Sequence, residues 1–290
     1  MRTAHFRFAG RSDTGRLREA NEDSFALLPD RGLFVVSDGM GGHRAGDVAS
    51  GIVVRVLPEI WAKRWSSIRS RKALTIQTAL RDAIVELSRQ LHDAAAAQSD
   101  LAGAGATVVL AFLHRATAFV AHMGDSRAYM WRRGTLARLT EDHTVASLLA
   151  RNGEISFAEV ATHPAAGALS RYVGMKGVVY PDVRAVGLAP GDRLLLCTDG
   201  LTGTVSEKLL GGVLARARGP EAACQRLIYA ANAAGGRDNV TAVVVDWSVR
   251  GPGGCERVLQ RDGGPRPDGM RTPSVAIPQR PPRPSPRRAT

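Results

Sequence analysis

Short runs of apolar residues, each too brief for a helix, mark both ends of this chain. Leu33-Phe34-Val35-Val36, Leu194-Leu195-Leu196-Cys197 after Arg193, and Val240-Thr241-Ala242-Val243-Val244-Val245 are rich in large or β-branched side chains, and each predicts a buried strand. Ala106 to Leu113 and Ala116 to His122 flank His114-Arg115 and predict a hairpin that runs into Gly124-Asp125. Between Val48 and Ala97 the period changes. Val48, Ile52 and Val56 recur at about one helical turn, and Leu74, Ala79, Leu80, Ile84, Leu87 and Leu91 do the same, so two amphipathic helices are expected to cover a sheet. Asp142 to Val173 reads as mostly helical, with Ala146, Leu148, Leu149, Ile155, Phe157 and Val160 as apolar markers. Leu209 to Val213 and Glu221 to Ala234 supply further helices before the last strand.

The strands draw interest through the residues at their ends. Asp38 follows the first in Ser37-Asp38-Gly39-Met40-Gly41-Gly42-His43, Asp199 follows the second in Thr198-Asp199-Gly200, and Asp238-Asn239 stands at the mouth of the third. A further aspartate, Asp23, lies in Asn21-Glu22-Asp23-Ser24. A lone Asp-Gly pair is a turn former and nothing more. Several carboxylates delivered by separate strands can instead converge, and a hard divalent cation such as Mg²⁺ or Mn²⁺ takes oxygen ligands of this kind. A metal-dependent hydrolase is the expectation.

The motifs carry a resemblance. Ser12 to Ser24 (SDTGRLREANEDS), Asp38 to His43 (DGMGGH), Gly124-Asp125-Ser126-Arg127, Thr198-Asp199-Gly200-Leu201 and Gly236 to Thr241 (GRDNVT) resemble, in order, the motifs of bacterial PP2C-type (PPM) serine/threonine protein phosphatases. The likeness implies an α+β fold, a four-layer α-β-β-α sandwich of two antiparallel sheets flanked by helices, over residues 5–248, with a flap segment near 142–175 linked to substrate access. It implies two Mn²⁺ or Mg²⁺ ions, with Asp38 bridging them and a hydroxide between them as nucleophile. Asp199 and Asp238 complete the first ion's ligands, and Glu22 and the Gly39 carbonyl serve the second. Asp125 would hold a third, weaker ion, and Asp23 would orient metal-bound water from behind. Arg18, five residues before Asp23, is the expected phosphate grip, its guanidinium fork matching phosphate oxygens, with Arg16 as the nearby competitor. His43 is the candidate proton donor to the leaving seryl or threonyl oxygen, a neutral loop histidine being its alternative reading. One departure is Gly103-Ala104-Gly105-Ala106-Thr107, where many relatives carry Gly-Met-Gly-Thr-Thr; these residues are expected to pack rather than coordinate.

Composition limits the other possibilities. Half of the formal net charge of +12 belongs to the last forty-odd residues, where nine arginines from Arg250 to Arg288 face only Glu256, Asp262 and Asp268 among many prolines. Such a segment cannot bury enough apolar surface to offset its ordering entropy, and 249–290 is expected to be a disordered tail able to touch an acidic partner. A nucleic-acid-binding protein is the reading that charge alone favours, but no aromatic residue follows Trp247 as a stacking platform. A catalytically idle phosphoprotein-binding regulator is the other alternative, and the intact carboxylate set argues against it. Cys197, Cys224 and Cys255 lack the spacing of a zinc or disulfide framework. No apolar leader or spanning run is visible, so a cytoplasmic, monomeric enzyme is expected. Its partners would be phosphorylated proteins and a serine/threonine kinase. The stretches Asp30 to Val36 and Arg44 to Ser50 resemble phosphatases that accompany type VI secretion kinases.

Overall fold

The computed structural model describes residues 4–249, excepting the side chains at positions 4, 5, 43, 44 and 249. Its strands are β1 (Ala4–Asp13), β2 (Asp23–Leu28), β3 (Leu33–Met40), β4 (Gly105–Ala106), β5 (Val108–His114), β6 (Thr117–Met123), β7 (Arg127–Arg132), β8 (Thr135–Arg138), β9 (Asp182–Gly187), β10 (Arg193–Cys197) and β11 (Val240–Val249). The helices are α1 (His43–Ser67), α2 (Ala73–Ala97), α3 (Val145–Arg151), α4 (Asp199–Thr202), α5 (Glu207–Arg216) and α6 (Pro220–Ala233). One sheet runs β1-β11-β10-β7-β8 and the other β2-β3-β5-β6-β9, with β4 added on β3. Every strand pairing is antiparallel.

Side-chain parity along the strands builds the layers. In β3, Leu33 and Val35 join Ile52, Val53 and Leu57 of α1 and Ile84 and Leu87 of α2 in one core. The alternate residues, Phe34 and Val36, meet Leu194, Leu196, Val243 and Val245 between the two sheets. On the far side Leu195 and Cys197 pack with Leu210 and Val213 of α5 and Leu227 of α6. A strand covered on both faces needs an unbroken apolar run, which is why these strands show little polar alternation. The result is the expected four-layer α-β-β-α sandwich, and the paired sheets hold an inter-sheet core of their own.

Two details differ from the sequence reading. The segment 142–175 is mostly irregular: only α3 and a single 3₁₀ turn at Val160–Thr162 are helical. Its markers Leu148 and Phe157 are exposed, at 47% and 74%, and only Ala146 and Ala150 give α3 a buried face, too narrow a stripe to carry helix through the segment. Leu74, assigned to the apolar stripe of α2, is likewise exposed, in the first turn of the helix ahead of its first buried residue, Ile76. Of the expected tail, 249–290, Val249 closes β11 and 250–290 lies outside the described residues. Among the described residues no helix is long and apolar enough to cross a membrane.

Candidate active site

Continuing the inter-sheet parity of Phe34 and Val36 brings β3 to Asp38, where the apolar core gives way to polar groups at the mouth of the sandwich. Asp23 of β2 is the register partner of Asp38. From the opposite sheet, Thr198, two residues beyond Leu196 of β10, and Thr241, two before Val243 of β11, reach the same mouth. Both hydroxyls donate to Asp23 Oδ2, at 2.8 and 2.7 Å. The β6–β7 connection, Gly124-Asp125-Ser126, passes from one sheet to the other at this end.

A cleft of 370 Å³ opens there, lined by Arg18, Glu22, Asp38, Gly39, Asp125, Asp199, Asp238 and Asn239 among others. Asp38 and Asp199 both line it, and Arg18 donates to Asp238 Oδ2 at 2.8 Å from the rim. Asp23 is buried, at 7% exposure, behind the lining. Arg18, Glu22, Asp38, Gly39, Asp125, Asp199 and Asp238, drawn from five separated motifs, thus line one cleft. His43 is the first residue of α1, but its side chain lies outside those described. Arg16 does not line the cleft; its backbone N–H donates to the Gly236 carbonyl at 2.7 Å.

The backbone around the cleft is closely fitted. The Gly39 N–H donates to the Glu22 carbonyl at 3.1 Å, and a methyl group on Gly39 would overlap the carbonyl of Gly46. Glu22 is fixed through its N–H to Asn239 Oδ1 at 2.8 Å, while the Asn239 amide donates to the carbonyls of Thr14 and Ala20. Thr107 does more than the packing expected of it. Its N–H donates to the Asp38 carbonyl at 2.8 Å, its Oγ1 accepts from the Asp38 N–H at 2.9 Å, and the same oxygen bonds Ser126 Oγ at 2.7 Å. Thr107, Thr198, Thr241 and Asn239 are the supporting residues that sequence reasoning missed. Their hydroxyls and amide stand in or beside the quoted motifs, but nothing local distinguishes them from turn residues.

Charge is concentrated here at an electrostatic cost. Burial pushes Asp23 up to about 7 against the two threonine hydrogen bonds, and the negative Asp199 and Asp238 raise it further. Asp38 is driven well above the usual carboxylate range by burial and then by Asp23, Asp199 and Asp125. Asp125 rises to about 7 through burial and Asp199, and Asp199 rises through burial and Asp238. Two buried oxygens, Asp23 Oδ1 and Asp199 Oδ1, have no hydrogen-bond partner. Clustered carboxylates with orphaned oxygens are what a bound cation would relieve. The donors are all oxygen, and the Gly39 carbonyl is available beside them, so the residues fit Mg²⁺ or Mn²⁺ better than a metal that favours sulfur or imidazole.

Oxygen ligands converging at the mouth of a double-sheet sandwich, with an arginine at the rim, make up the site of a metal-dependent phosphohydrolase. The family model described as Protein phosphatase 2C matches residues 16–217. The serine/threonine phosphatase Stp of Listeria welshimeri is 38% identical over 242 residues, covering 82% of this chain and 95% of the relative. A solved structure described as PppA, a key regulatory component of T6SS in Pseudomonas aeruginosa, superposes with a TM-score of 0.72 at 32% identity, over 84% of this chain and 98% of that one. The catalytic domain of the phosphatase PstP in complex with two manganese ions gives a TM-score of 0.69 at 32% identity, over 85% of this chain and all of that domain. The chain belongs to the protein phosphatase 2C family of metal-dependent serine/threonine phosphatases.

Proposed function

We propose that this chain releases phosphate from phosphoserine and phosphothreonine in proteins, and that the convergence of Asp38, Asp199 and Asp238 beneath Arg18 is the catalytic centre. Asp38, Asp199 and Asp238 would hold one ion, Asp38 with Glu22 and the Gly39 carbonyl the second, and Asp125 a third and weaker one. Divalent ions, when bound, offset the charge of the phosphoryl group and acidify the attacking water. Everything else falls to the chain. Asp23, its Oδ2 pinned by Thr198 and Thr241 and its Oδ1 without a hydrogen-bond partner, would orient water from behind the lining. Arg18 lies 54% exposed with one N–H on Asp238, and its remaining donors suit two phosphate oxygens at once. His43, at the start of α1, is the proposed proton donor to the leaving oxygen.

The manganese-bound PstP domain supports Mn²⁺ as an acceptable ion. The proposed setting is cytoplasmic and monomeric, opposing a serine/threonine kinase. A role beside type VI secretion rests on the motif likeness and on the described role of the PppA structure. The proposed domain is 5–248, and the arginine-rich tail would make electrostatic contact with an acidic partner.

The test is phosphate release from phosphothreonine and phosphoserine peptides with Mn²⁺ or Mg²⁺, followed by chelation and metal readdition. Activity should vanish on chelation and return with the metal; turnover that survives exhaustive chelation would reject the reading. Arg18→Ala should leave the fold intact and weaken transition-state binding by about 1.5–3 kcal/mol, the range of a lost charged hydrogen bond. Steady-state kinetics check this, and an unchanged kcat/KM would remove Arg18 from the phosphate site.

A further inference from the structure

His143 sits where the irregular segment 142–175 leaves the body, and it bonds in four directions. Its backbone N–H donates to the Gly124 carbonyl at 3.0 Å and its carbonyl accepts from the Ser170 N–H at 2.8 Å. Its side chain is fully enclosed. Nδ1 accepts from the Gly124 N–H at 3.2 Å, and Nε2 stands 2.9 Å from Asp182 Oδ2. A backbone N–H can only donate, so Nδ1 carries the lone pair and Nε2 carries the proton that Asp182 receives. Asp182 is itself braced by Arg171, one guanidinium nitrogen on each oxygen at 3.3 Å.

These contacts also decide what the cluster is not. His122, stacked on His143 at 4.5 Å, brings its ligand atoms and those of His143 and Asp182 within 4.8 Å of one another, a spacing that would suit a transition metal. Both nitrogens of His143 are already committed, however, and binding an ion through Nε2 would require an imidazolate or release of the Gly124 N–H. His122 Nε2 is committed too, 2.8 Å from the Glu141 carbonyl. Burial lowers the pKa of both rings, in keeping with a neutral, hydrogen-bonded assembly.

Gly124 precedes Asp125 in the cleft and holds φ at +111°, with Thr107 packed against its other face. The turn is thus gripped on both sides of Asp125: His143 takes the Gly124 N–H, and Thr107 bonds Ser126. We propose that His143, backed by Asp182, is a positioning residue that sets the Asp125 carboxylate for metal binding by accepting the Gly124 N–H on Nδ1. The inference rests on the reading of Asp125 as a metal ligand. Without that acceptor the buried Gly124 N–H is unpaired, and the turn relaxes toward another partner.

Two amide variants separate positioning from simple packing. In His143→Asn the side-chain oxygen stands near the place of Nδ1 and keeps the acceptor, while in His143→Gln the amide reaches toward Asp182 and the acceptor is lost. Mn²⁺ binding to the full chain is measured by isothermal titration calorimetry, with amide hydrogen exchange of the Gly124 peptide in the metal-free protein as the second readout. His143→Gln should weaken the weakest Mn²⁺ site by about tenfold or more, the usual effect of losing an outer-sphere support, and should speed exchange at Gly124. His143→Asn should restore both toward wild type. Asp125→Asn is the control. If it weakens a site and His143→Gln does not, or if the Asn and Gln variants lose equally, the positioning role is wrong. If Asp125→Asn weakens no site, the third-site reading is wrong and the inference goes with it. Should His143→Gln not fold, Asp182→Ala carries the same test through the loosened ring, and unchanged Mn²⁺ affinity and exchange in it would overturn the proposal.

Discussion

Replacing Asp38 by asparagine is expected to abolish turnover and, at the same time, to raise the melting temperature of the metal-free protein. The carboxyl lies among Asp23, Asp199 and Asp125, and burial leaves little water to screen their repulsion. Asparagine is close to the same size and carries no charge, so the repulsion is relieved without opening a cavity. Relief of about 1 kcal/mol would raise the melting point by about 2–4 °C in a domain of this size. The same exchange removes the ligand shared by the two proposed ions. Loss of several kcal/mol of charge stabilisation corresponds to a fall of about 10³-fold or more in kcat. Calorimetry in chelator and phosphopeptide kinetics with Mn²⁺ measure the two effects. Wild-type turnover would remove Asp38 from the centre, and a lower melting point in chelator would show that its charge is not the liability argued here.

Gly39→Ala should cost both stability and activity, for a steric reason. The added methyl group would overlap the Gly46 carbonyl and come within 2.9 Å of the Glu22 carbonyl, and neither backbone can yield as a flexible side chain could. Crowding of this kind costs about 1–3 kcal/mol, so the melting point should fall by about 2–12 °C. The end of β3 and the first turn of α1 would have to separate, moving Asp38 and the Gly39 carbonyl off their positions. Gly167→Ala is the matched control. Gly167 lines the same cleft with open space around it, and it should be nearly silent in thermal melts and turnover. A Gly39→Ala protein with normal melting and turnover would mean that the close approach of β3 and α1 is not required by the site.

Much of this protein can be read from local pattern. Residues 33–36, 193–197 and 240–245 are strands because unbroken apolar runs suit strands covered on both faces, and α1, α2, α5 and α6 follow from spacing. The aspartates at the strand ends are equally visible, since their positions next to those runs are a matter of neighbouring residues. Other strands gave no such signal. β1 mixes Arg7, Gly10 and Arg11 with its apolar residues, and β9 is only half buried, so each takes its form from the partner strand it meets. The segment 142–175 is held by contacts to Gly124, Ala106 and Asp182 rather than by its own periodicity.

The residue types of the site, and the strands β3, β10 and β11 that bring Asp38, Asp199 and Asp238 to it, are legible in the chain because both depend on neighbouring residues. Which groups meet depends on how the two sheets pack. Thr198 and Thr241 close on Asp23 from 175 and 218 positions away, and His143 reaches Gly124 from the far side of the β7–β8 hairpin. Hydroxyls and imidazoles at such distances look like ordinary turn residues until two sheets fold face to face. Burial then leaves each polar group with few possible partners, and those partners set the charge and aim of the carboxylates.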